Sequence, residues 1–125
     1  KSYQLVALNS AELFRLLIEN LNPAGLEVPK EVGLLDYAGF KLHALGAAEK
    51  PDLAAMATTV KEAVGWWDAI KSKVEEKGLR DAMSTAISGM QTAVTSKNLP
   101  MLHFAAQVDL DLVDLLEGHF EEQKK

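Results

Sequence analysis

At 125 residues the chain can bury one hydrophobic core, and with 48% hydrophobic and 25% charged residues it has the composition of a globular protein, not a disordered one. A net charge of −5 supplies no basic stripe to meet phosphates, which argues against general nucleic-acid binding. The absence of cysteine removes disulfides, thiol catalysis, iron–sulfur clusters and thiolate zinc sites, and the apolar runs are too short to span a membrane.

The periodicity predicts five helices. The first covers about 3–21, with Tyr3, Val6, Ser10, Leu13, Phe14, Leu17 and Leu21 on one face and Glu12, Arg15 and Glu19 on the other. A shorter version would start at the capping pair Asn9 and Glu12, but the stripe runs unbroken back to Tyr3. Asn22, Pro23, Ala24 and Gly25 stop it, and residues 26–29 read as extended. The second helix, about 33–48, turns Leu34, Leu35, Ala38, Leu42 and Leu45 inward and Asp36, Gly39 and His43 outward. Each of Gly33, Gly39 and Gly46 costs about 1 kcal/mol relative to alanine, so close packing or a bend must favour them. This shorter helix is expected to complete or flank the bundle.

Asp52 then caps a third helix, about 53–77, which buries Leu53, Met56, Val60, Ala63, Val64, Trp67 and Val74 and stops at Gly78. The fourth, about 79–97, has a thin face of Leu79, Ala82, Met83, Ala86, Met90 and Ala93 and should sit close to its neighbours, with Gly89 at the approach. The fifth, about 99–122, is capped by Asn98 and carries Pro100 in its first turn. Its stripe is Leu102, Ala106, Asp109, Val113, Leu116 and Phe120, in steps of 4, 3, 4, 3 and 4. With no alternating strand pattern and short connections, the expected fold is all-α: a single-domain antiparallel up-down bundle of four long helices and one shorter. A shift of 46 residues lays Gly46–Glu76 on Thr92–Glu122 and Asp52 on Asn98, which reads either as a duplicated hairpin or as the general likeness of amphipathic hairpins.

Asp109 is a carboxylate on a buried face, and unpaired buried charges are rare, so a partner is expected. The candidates are the Trp67 indole, Lys71, the Tyr37 and Ser10 hydroxyls, and Arg15. Trp67 falls on the core stripe and Trp66 on its flank, where a half-exposed ring can anchor a ligand or a partner helix. His103, Asp111, Asp114 and Glu121 make an acidic face, but the eight residues from His103 to Asp111 span about 12 Å of helix and cannot close a metal site alone. No two of the three histidines stand three or four apart, so no metal and no cofactor is expected. Met83 and Met90 face inward without a histidine to share a haem. No phosphate loop, His-Glu-x-x-His or Gly-x-Ser-x-Gly is present, so no enzymatic chemistry is expected.

The run His43-Ala44-Leu45-Gly46-Ala47-Ala48 resembles the phosphoacceptor segment of histidine phosphotransfer domains, which are helical bundles of similar length. In that family the motif is His-x-x-Lys-Gly; here the lysine is missing and Gly46 comes one position early. The resemblance implies a solvent-facing His43 that accepts a phosphoryl group. The function expected from the residues themselves is a non-catalytic binding or interaction protein that takes a protein or small ligand on a surface between helices. The alternatives are a metal- or ligand-binding bundle using the acidic face, and the phosphotransfer module. A first residue of lysine, not methionine, suits a processed chain, and a periplasmic location is favoured over a cytoplasmic one.

Overall fold

The computed structural model describes residues 2–20 and 28–123. Among the described residues there is no strand, and the helices are α1 (Ser2–Glu19), α2 (Lys30–Gly46), α3 (Leu53–Ile70), α4 (Lys77–Thr95) and α5 (Leu99–Gln123). Local chemistry sets the starts of α3 and α5. Asp52 accepts a hydrogen bond from the Ala55 N–H at 3.0 Å, and Asn98 accepts one from the Met101 N–H at 3.1 Å.

The junction between α3 and α4 departs from the sequence reading. The third helix does not continue to residue 77: α3 ends at Ile70, and a single 3-10 turn, Lys71–Lys73, leads to the buried Val74. The carboxylate of Glu76 then accepts from the N–H groups of Gly78 and Leu79 at 2.9 and 2.6 Å. Gly78 therefore lies in the first turn of α4 and stops nothing. Some expected core positions also lie nearer the surface: Leu53 is exposed, as is Ala82, while Val64 and Leu79 are half-buried.

Four helices close a ring. α2 packs on α3 and α5, and α4 packs on the same two from the opposite corner. α1 lies outside the ring, against α2. Of the two places expected for the second helix it takes the first: α2 completes the ring, enclosed by three neighbours, and α1 is the flanking element. The residues of α2 explain why. Val32, Leu34, Leu35, Tyr37, Ala38, Gly39, Leu42, Ala44 and Leu45 are all buried, which is apolar surface on more than one face.

The rotation of α1 is also corrected. Its buried side chains are Ala11 and Ile18, while Val6, Leu13 and Leu17 of the expected stripe are 61%, 59% and 62% exposed. Glu12 and Arg15, expected outside, turn inward to serve Tyr37, whose buried ring brings a hydroxyl that needs partners. The Tyr37 hydroxyl donates to Glu12 at 2.6 Å and accepts from Lys41 at 2.9 Å. Arg15 reaches Glu62 of α3 at 2.7 Å and Glu19 at 2.6 Å, and its guanidinium lies over the rings of Tyr37 and Trp66. The side chain of Tyr3, the expected stop at 22–25 and Leu21 lie outside the described residues.

The internal similarity extends to burial. Met56, Thr59, Val60, Ala63, Trp67, Ile70 and Val74 are buried, and so is the residue 46 positions after each, from Leu102 to Phe120. The buried residues Leu35, Ala38, Gly39, Leu42 and Leu45 of α2 match the buried set of α4, Met83 to Ala93, at a shift of 48. The α2–α3 and α4–α5 hairpins thus present the same core positions, with two residues' difference in the connecting turn.

Candidate functional site

His43 sits in the last turn of α2 and His103 near the start of α5, 60 residues apart in sequence. Packing of α2 on α5 brings their Nδ1 atoms to 3.0 Å, with the rings edge-to-face at a centroid distance of 4.4 Å. One imidazole must therefore donate its Nδ1–H to the other. His43 is half-buried, not solvent-facing as expected, and its Nε2 is buried without a close hydrogen-bond partner among the described residues. Burial, and next the facing His103, push the His43 pKa down, and Gln107 lies close enough to counter this in part. Both effects that dominate favour a neutral imidazole at pH 7.

Two cavities meet at this histidine. The larger, about 590 Å³, runs between α1 and α2, lined by Ala7, Ser10, Ala11, Phe14, Phe40, His43, Ala44 and Ala47. It exists because the two helices face each other there through alanines, which leave space between the backbones. The Phe14 and Phe40 rings meet edge-to-face at 6.3 Å in its wall. The smaller cavity, about 230 Å³, opens between α2, α3 and the start of α5 and includes His43, His103 and Met56 in its lining. The Arg15–Tyr37–Glu62 network ties α1 to α2 and α3 through side chains that do not line the groove.

The other residues singled out in the sequence lie elsewhere. Asp109 is fully buried in α5, and neither of its carboxyl oxygens has a hydrogen-bond partner among the described residues. Its expected partners are engaged away from it: the Trp67 indole donates to Ser84 at 3.0 Å, and Lys71 pairs with Asp68. Tyr37 and Arg15 serve each other's network, and Ser10 lines the groove. What Asp109 touches is Gly39 of α2, where a Cβ would stand 2.7 Å from Oδ2. Burial, and next the charge of Asp36, raise the Asp109 pKa well above the ordinary carboxylate range. Trp66 packs edge-to-face on Tyr37, as part of the clamp on α1. Asp111 and Asp114 are exposed, and Asp111 accepts from the Gln107 amide at 3.0 Å. No group of three or more His, Asp or Glu side chains converges on a metal-sized site among the described residues. No family model, no curated protein and no solved structure matches the chain.

The pairing of His43 with His103 was missed because spacing within one helix cannot show contacts between helices. One signal was available: each histidine directly follows a core leucine, Leu42 or Leu102, which sets both at the margin of a buried stripe. The expected face of α1 held two of the groove residues, Ser10 and Phe14, whereas Ala7 and Ala11 turn toward α2 only in the observed rotation.

Proposed function

We propose that this chain is a non-catalytic binding protein that seats a small, mostly apolar molecule in the groove between α1 and α2, with a hydrogen-bonding head at His43. The observation that carries this reading is an apolar groove of about 590 Å³ whose wall sets His43 and Ser10 among alanines and two phenylalanines. Small-ligand sites commonly enclose about 300–1,000 Å³, with mostly apolar walls and a few convergent polar groups. Ser10 supplies the other polar side chain, and no charged side chain among the described residues lines the groove, so a neutral head such as an alcohol or amide suits it better than an ion.

A fluorescence titration with the neutral apolar probe N-phenyl-1-naphthylamine tests this. The probe should brighten and saturate at one per chain, and 1-octanol should displace it. Ser10 is exposed, so Ser10→Trp fills the groove without disturbing the core and should abolish binding. Saturable binding that Ser10→Trp leaves intact would reject the groove as the site.

A second reading rests on a different observation. Leu5, Val6, Leu13, Leu16 and Leu17 of α1 are all more than half exposed and form an apolar face larger than scattered surface leucines would make. Such a face suits docking to another protein. Leu13→Lys separates the two readings, since it alters that face and should leave probe binding unchanged.

A further inference from the structure

The smaller cavity brings two imidazoles and a thioether together without a carboxylate. Leu42, Gly46 and Leu102 complete its wall around His43, His103 and Met56. We propose that this cavity binds one cuprous ion, held by the Nδ1 atoms of His43 and His103 and by the sulfur of Met56. The distance suits a metal. Two nitrogens bonded at about 2.0–2.1 Å to a tetrahedral or trigonal ion stand about 3.3–3.6 Å apart. The observed separation of 3.0 Å needs to open by only a few tenths of an ångström. Met56 is buried, and its terminal methyl lies 3.8 Å from where a Cβ of Gly46 would stand, so the thioether end reaches the α2 side of the cavity.

Charge and softness select the ion. A divalent cation buried among neutral ligands carries a desolvation penalty about four times that of a monovalent one, because the penalty scales with the square of the charge. Among the described residues no carboxylate lines the cavity to offset it. Imidazole with thioether is a borderline-to-soft set that favours Cu⁺ over Mg²⁺, Ca²⁺ or Mn²⁺. The protons balance. In the neutral pair one ring carries its proton on Nδ1; ligation needs that proton on Nε2 of the same ring, and none is released. Gln107 is placed to help, since its amide nitrogen donates to Asp111 at 3.0 Å and its carbonyl stays free to accept from a His43 Nε2–H.

His43 lines both cavities, but His103 and Met56 line the smaller one and not the groove, so variants at those two test the copper site apart from the groove. The test is an anaerobic titration of the full chain against the cuprous complex of bicinchoninate. One equivalent of Cu⁺ should pass from the chelator to the protein. His103→Ala, at an exposed position, and the volume-conserving Met56→Leu should each weaken binding about tenfold or more, with helical circular dichroism unchanged. Ser10→Trp should leave copper binding as it is. Failure to withdraw copper from the chelator, equal affinity in His103→Ala, or displacement of Cu⁺ by equimolar Zn²⁺ would overturn the assignment.

Discussion

Asp109 is a carboxyl group whose oxygens meet neither solvent nor a donor among the described residues, and its effect on stability follows from that. Burial, then Asp36 across the α2–α5 contact, raise its folded pKa well above the unfolded value of about 3.9. A group raised in this way contributes stability that is fully present below the unfolded pKa and is lost as pH rises through the folded one. Asp36, pushed up to about 6 by burial and by Glu117 and Asp114, acts in the same sense. Asp109→Asn keeps the shape and removes the titration. Relative to the parent it should gain at least about 1.4 kcal/mol at pH 7, the worth of one pKa unit, and little at pH 4. Urea melts at the two pH values measure the gap. A gap that fails to widen between pH 4 and pH 7 would mean that Asp109 is ionised at little cost in the fold.

At the scale of the helices, the contact of Gly39 with Asp109 sets how closely α2 and α5 approach. A Cβ at Gly39 would stand 2.7 Å from the Asp109 carboxyl and from Leu110, both fixed in the packed interface. Alanine improves helix propensity by about 1 kcal/mol, yet here the overlap should dominate, and Gly39→Ala should destabilise by about 1–3 kcal/mol. An unchanged or raised thermal midpoint would show that the two helices can separate freely. Gly89 of α4 is looser: a Cβ there would rest 3.5 Å from that of Ala105, ordinary contact. Of these two glycines, both of which face α5, Gly39 makes the tighter contact. The inner faces of α3, α4 and α5 were largely legible because each buries one stripe against the ring. α1 was not: an outer helix keeps a wide apolar face exposed, and the Tyr37 hydroxyl draws Glu12 and Arg15 inward against the hydropathy pattern.

For the whole molecule, the all-helical bundle could be read from periodicity and short connections, whereas the position of each helix in it could not. Two hairpins with matching core positions close the ring, and Gly39 and Asp109 hold the places that Ile87 and Ala63 hold in the other half. α1 added outside that ring creates the groove, and the junction of α1, α2 and α5 collects His43, His103 and both cavities at one end of the bundle. The proposed binding role thus rests on how the elements are assembled and on no single motif. It is tested most directly by two-dimensional NMR of the isotope-labelled chain during addition of 1-octanol. Signals of Ser10, Phe14, Phe40, His43 and Ala44 should shift together and saturate, with those of Phe104 and Leu115 unmoved. Shifts confined to Leu5, Leu13 and Leu16 on the outer face of α1, or no saturable shifts at all, would contradict a ligand seated in the groove.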